Sequence, residues 1–259
     1  MQIGILYFLV IVLANTVGAI SGMGGGVIIK PMLDAIGVHS LNEISFYSSI
    51  AVFTMAIVAT WQQFKNPIDV KIKLALLISF GSFLGGVLGQ SAFSQLLDFF
   101  ASESTVQWIQ IILTVLSLVF ALLYTIKKWK SWKLKKMGWY LALGLFLGFL
   151  STLLGIGGGP INVALLMLCF GIPIKDATVY SIITIFFSQL STLITIGLTT
   201  GYEAFDLSLL AYIIPAAMIG GFLGARLSGV LSEKRVLRVY QLVVMLVIIL
   251  NIANGLGLE

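Results

Sequence analysis

Two glycine runs carry the features of this chain that can do chemistry. Ser21-Gly22-Met23-Gly24-Gly25-Gly26-Val27 lies between apolar segments in the first half. Leu154-Gly155-Ile156-Gly157-Gly158-Gly159-Pro160 holds the same place in the second. Consecutive glycines inside a helix cost roughly 1 kcal/mol each relative to alanine, so each run reads as a break between helices. Glycine also lets a ligand approach the backbone closely. A helix restarting after such a break leaves its first N–H groups unpaired, and its macrodipole adds about half a positive charge there. Two restarts that face each other would hold a small anion with about one unit of positive charge and no side chain.

Side chains beside the runs extend that reading. Lys30 stands one turn into the segment after the first run, and an ionisable residue at membrane depth is a functional candidate. Its counterpart in the second half is Val163, so its role is asymmetric. The competing reading of Lys30 is an i, i+4 pair with Asp34, or snorkelling. Asn15, Thr16, Ser21, Ser151, Thr152 and Asn162 flank the breaks and suit either an oxyanion or a helix cap. Gln189, beside Ser188 inside a later apolar segment, lines a cavity or bonds a neighbouring helix. His39 is the single histidine and falls in an expected loop. The expected substrate-binding set is Gly22, Gly24, Gly25, Gly26, Lys30, Gly155, Gly157, Gly158, Gly159 and Asn162. No catalytic residue, metal ligand or cofactor is expected. An intramembrane enzyme needs a nucleophile–base pair or metal cluster at depth, and one histidine and one cysteine give little to build it from. There is no GxxxxGK[ST] loop for nucleotide hydrolysis.

The elements that must position these residues are membrane spans. The chain has 259 residues, 59% hydrophobic and 10% charged, with mean hydropathy +1.09. A soluble domain carries about 25% charged residues. The surface here must therefore face lipid, as one integral membrane domain. The net charge of +5 sits in short juxtamembrane runs, which argues against a nucleic-acid partner and for a lipid bilayer. Cys169 stands alone and makes no intrachain disulfide. No basic residue precedes the first apolar run, against a cleaved signal peptide.

Eight apolar segments are long enough to span, at residues 3–20, 44–64, 74–93, 106–126, 138–154, 177–198, 207–225 and 239–254. Two short ones, 27–37 and 160–171, each follow a glycine run. Lys127 to Lys136, flanked by Trp129, Trp132 and Trp139, divides the chain as a basic cytoplasmic linker with an interfacial aromatic belt. The expected organisation is a first transmembrane repeat at 1–126, the linker at 127–136 and a second repeat at 137–259. The glycine runs repeat at an offset of 133 residues, Tyr47-Ser48 recurs as Tyr180-Ser181, and Gly85-Gly86-Val87-Leu88-Gly89 matches Gly220-Gly221-Phe222-Leu223-Gly224. The last pair reads as close helix packing. An odd number of crossings per half puts nearly every lysine and arginine on one side and the loops around Glu103 and Glu203 on the other. The positive-inside rule favours that arrangement. It makes the halves inverted repeats with both termini outside the cytoplasm. It also requires each short segment either to cross or to return as a re-entrant hairpin. The fold class is therefore an all-α polytopic membrane protein of two inverted repeats, with eight long spans and two short glycine-broken half-helices.

The sequence GMGGGVIIKPML, followed by GIGGGP in a related second half and by GGFLGARL, resembles the TauE/SafE family of sulfite exporters. The resemblance covers essentially the whole chain. It carries over to Gly22, Gly24, Gly25, Gly26, Pro31, Gly155, Gly157, Gly158 and Gly159. Where family members often place a proline several residues after the second run, this chain has Ala164 and, earlier, Pro160. The resemblance implies an ion-gradient-driven carrier of sulfite or organosulfonates, with a small anionic substrate, in a bacterial or archaeal cytoplasmic membrane. A passive anion channel is the alternative transport reading.

Overall fold

The computed structural model describes residues 2–63, 65, 71–100, 102–127, 129–156 and 158–256. Gly157, one of the expected site residues, lies outside them. The described residues form ten α-helices and no strand: α1 (Gln2–Ser21), α2 (Gly26–Ile36), α3 (Leu41–Gln63), α4 (Ile72–Phe100), α5 (Glu103–Lys127), α6 (Met137–Leu153), α7 (Pro160–Phe170), α8 (Ile174–Thr199), α9 (Leu210–Val230) and α10 (Glu233–Leu256). The chain is an all-helical polytopic membrane protein. The eight long apolar segments become α1, α3 to α6 and α8 to α10, and the two short ones become α2 and α7. Among the described residues seven helices, not the expected eight, are long and apolar enough to cross a membrane; α6 has 17 residues, about 26 Å of helix, and falls short because the second glycine break ends it.

The glycine runs stop α1 and α6. Gly22 and Gly24 have φ of 71° and 73°, and Gly155 and Gly158 have 64° and 107°. These left-handed values suit glycine and interrupt the i to i−4 ladder. The helices restart at Gly26 and at Pro160, which occupies the first helical position, where its missing N–H costs nothing.

Neither short helix crosses the bundle. Tyr7, early in α1, is hydrogen-bonded to His39, just past α2, at 2.7 Å. Both ends of the α1–α2 hairpin therefore lie at the same end of the molecule. The α6–α7 hairpin does the same at the opposite end. Trp132 and Leu134 of the linker donate their N–H groups to Leu168 and Cys169 in the last turn of α7, both at 2.8 Å. Each short helix has 11 residues, about 16 Å, or half of the roughly 30 Å hydrocarbon thickness. Three helices per group of five (α3 to α5, α8 to α10) run the full length, so the two hairpins enter from opposite ends.

Charge separates along the same axis. At the end holding the chain's first turns, Leu41 N–H donates to Glu103 at 3.1 Å, and Tyr47 Oη donates to the Asp206 carbonyl at 3.3 Å. Glu43, Glu103 and Asp206 cluster there. Ser208 hydroxyl and N–H donors hold the exposed Asp206 carboxyl below the usual carboxylate range, with His39 contributing. The opposite end carries Lys71, whose N–H donates to Tyr180 Oη at 2.8 Å, the linker lysines, and Lys175, which donates to the Gly229 carbonyl at 3.3 Å.

Packing exchanges partners between the two groups of five. α4 lies along α6 and α9 lies along α1. Glycines set both contacts: a Cβ added to Gly85 or Gly148 would strike a backbone carbonyl across the α4–α6 seam, and one on Gly220 or Gly224 would strike a carbonyl of α1. Such close backbone approach substitutes for a hydrophobic driving force inside lipid. The buried core is continuous from Ile11, Tyr47 and Met55 on α1 and α3 to Ile182 and Ile213 on α8 and α9. Apolar side chains such as Leu13, Phe80, Leu116 and Ile249 face outward.

Candidate functional site at the paired helix breaks

The two glycine breaks meet. A Cβ on Gly26 would run into the carbonyl oxygen of Ile156, so the start of α2 lies against the second break. Every described residue from 18 to 27 and from 151 to 164 is buried. α2 leaves the meeting point toward one end of the bundle and α7 toward the other, so their N-termini converge. Neither helix start has a side-chain cap. Both direct their positive dipole ends at a closed, low-dielectric region.

Each break docks on the other group's long helix, in matching positions. Gly22 lies against Thr178 of α8, and Gly155 lies against Ser45 of α3, with Ser45 Oγ 2.8 Å from the point a Cβ would occupy. Both pairs are related by the same 133-residue offset. One of the matched contacts is satisfied and the other is not. Ser181 donates to the Gly22 carbonyl at 2.5 Å. Its counterpart Ser48, fully buried beside Gly26, has no hydrogen-bond partner.

Lys30 is 5% exposed. Its ammonium donates to Gln110 Oε1 of α5 at 2.5 Å, and Gln110 Nε2 donates to the Leu153 carbonyl at 2.7 Å, in the last turn before the second break. The ammonium thus turns toward Gly155 and not, as the i, i+4 reading expects, onto Asp34. Asn162, in the first turn of α7, is 1% exposed, and both atoms of its amide lack a partner. Its nitrogen stands 3.3 Å from a Cβ built on Gly158. Asn15 donates to the Ala51 carbonyl at 3.3 Å and leaves Oδ1 unpartnered against Gly25. Ser45 Oγ is unpartnered as well. Buried polar atoms are almost always paired, and leaving one unpaired costs about 1–3 kcal/mol. Several at one place make a polar spot lined by a cation, two hydroxyls, two amides and two helix starts.

Other candidates fall outside it. Thr16 and Ser21 donate to the carbonyls of Val12 and Val17 on their own helix, both at 2.7 Å. Thr152 pairs with Thr192 at 3.0 Å, and Ser151 lies 3.3 Å from Ser188 and 3.4 Å from Gln189 Nε2. These tie α6 to α8. The larger surface grooves, one of about 410 Å³ beside Trp61 and Phe187, are apolar and belong to the lipid-facing side.

Ser45, Ser48 and Gln110 were missed as site residues. Gln110, an amide inside an apolar span, was the available signal. Tyr47-Ser48 and Tyr180-Ser181 had marked only the repeat.

The family model for "Sulfite exporter TauE/SafE" matches residues 7–252. The chain belongs to the TauE/SafE family. It is a membrane transporter of that type, and the match includes both glycine breaks and all five residues of the polar spot just described. The chain is also 25% identical over 265 aligned positions to the "Probable membrane transporter protein YunE" of Bacillus subtilis (strain 168), covering 91% of this chain and 92% of that protein. No solved structure matches it.

Proposed function

We propose that this TauE/SafE protein is a secondary carrier of small anions, sulfite or an organosulfonate, which bind where the N-termini of α2 and α7 converge. The observation that carries this is Lys30, a buried ammonium aimed at the second break among buried polar atoms that lack partners. Gly22, Gly24, Gly25, Gly26, Gly155, Gly158 and Gly159 keep side chains out of the anion's path, while Ser45, Ser48, Asn162 and the helix starts donate to its oxygens. Burial on every side fits an occluded carrier, in which residues 1–126 and 137–259 act as inverted repeats that rock about the site. The positive-inside rule assigns the lysine-rich end and the linker to the cytoplasm, with both termini outside, in a bacterial or archaeal cytoplasmic membrane.

The test is counterflow of labelled sulfite into proteoliposomes, challenged by sulfate, thiosulfate and sulfoacetate. Saturable counterflow supports a carrier, and the order of competition ranks the cargo. Flux without saturation or counterflow would point to a passive anion channel. No flux in correctly inserted protein would remove sulfite from the reading.

A further inference from the structure

Asp34 follows Lys30 by one turn of α2, but it has different surroundings. Lys30 is buried, whereas Asp34 is half-buried. Asp34 lines a polar pocket of about 170 Å³ with His39, Glu103 and Gln107. That pocket lies at the acidic end, where the connection after α2 meets the start of α5. Two glutamines one turn apart on α5 keep the charges apart. Gln107 hydrogen-bonds Asp34, while Gln110 takes the Lys30 ammonium at 2.5 Å. The carboxylate thus faces the pocket, and the ammonium faces the paired breaks.

We infer that Asp34 is the proton-binding group of this transporter: a substrate anion and the Asp34 carboxylate compete for the one ammonium of Lys30, and anion binding draws a proton from the pocket onto Asp34. The inference rests on the anion site proposed above.

Charge balance gives the stoichiometry. In the empty protein, Lys30 and Asp34 are opposite charges on neighbouring turns, close enough to interact. A monovalent anion arriving at Lys30 leaves one uncompensated negative charge in a poorly solvated region, which is strongly disfavoured. A proton passing from pocket water to an Asp34 oxygen restores neutrality and breaks no other bond. Departure of the anion restores the pull of the Lys30 charge on the Asp34 carboxylate and releases the proton, while the ammonium stays on Gln110. The titratable groups facing Asp34 are Lys30 on its own helix, Glu103 from α5 and His39 from the connection. Tyr7 of α1 engages His39 at 2.7 Å, and Glu43 of α3 is held by the Ser40 hydroxyl and N–H. From α10, Asn254 donates to the Pro31 carbonyl at 2.7 Å.

The experiment titrates the purified full-length protein with methanesulfonate, whose single charge does not change near neutral pH. Binding is read by thermal stabilisation and proton uptake by an indicator dye in weak buffer. The wild type is expected to take up about one proton per anion, with affinity falling up to about tenfold per pH unit on the alkaline side. Asp34→Asn is expected to bind without proton uptake and with affinity independent of pH. Asp34→Ser serves if the asparagine variant does not fold. Glu103→Gln is expected to keep the uptake. Wild-type binding without uptake overturns the inference, as does uptake that survives in Asp34→Asn or disappears in Glu103→Gln. Sulfite counterflow without proton uptake would leave the anion site standing and remove the proton site. Absence of binding by methanesulfonate and sulfite alike would remove both.

Discussion

The Lys30 ammonium stands 3.2 Å from the position a Cβ on Gly155 would take. One residue belongs to the half-helix after the first glycine run, and the other opens the second run more than a hundred positions later. Gly155 is also left-handed, with φ of 64°. Gly155→Ala therefore combines backbone strain of roughly 1–2 kcal/mol with displacement of the lysine. Sulfite counterflow is expected to fall at least about tenfold, with a lowered melting temperature in detergent. Full flux in this variant would show that Lys30 does not act at the second break.

Lys30→Met separates charge from packing. Methionine follows the lysine stem in length and adapts to irregular space. Replacing a buried charge with an apolar side chain is often neutral for stability. The melting temperature should stay close to that of the wild type, while anion affinity drops by about tenfold or more. Unchanged affinity, measured by thermal-shift titration, would contradict an ammonium in the anion site.

Asn162→Leu is expected to trade function for stability. The amide is buried with both atoms unpartnered, a state that costs about 1–3 kcal/mol in the empty protein. Leucine removes that cost at similar volume, so the unliganded protein should melt higher and transport more slowly. A variant that melts lower would mean the amide is satisfied in the empty protein.

The matched serines should behave oppositely. Ser181→Ala removes the donor to the Gly22 carbonyl and is expected to cost about 1 kcal/mol of stability. Ser48→Ala removes a hydroxyl that bonds nothing in the empty protein, so it should leave the melting temperature nearly unchanged and raise the KM for counterflow. Equal effects of the two substitutions on both measurements would argue against the asymmetry.

Much of this was legible from residue type. Glycine cost inside a helix located both breaks, Pro160 marked the first position of α7, and the spacing of lysines from glutamates separated the two ends. The return of α2 and α7 was not legible. An apolar segment of 11 residues has the same local propensities whether it crosses or turns back, and the choice is made by contacts such as Tyr7 with His39 and Trp132 with Leu168. The partner of Lys30 was hidden for the same reason. Asp34 is its neighbour along the helix, but Gln110 reaches it across 80 positions of sequence. Ser45 and Ser48 look like ordinary small polar residues of a span until the second break is folded against them.

The exchange of partners between the two groups of helices bears on biosynthesis. A ribosome completes the α1–α2 hairpin, with Asn15 and Lys30 on it, before any of α8 or α9 has been made. Until those helices arrive, Gly22 has no Thr178 or Ser181 to rest on, and Gly220 and Gly224 are not there to receive α1. The first hairpin must therefore wait at the membrane as an unfinished intermediate. Chain order makes its docking a late event of assembly, and truncation anywhere before α9 strands it.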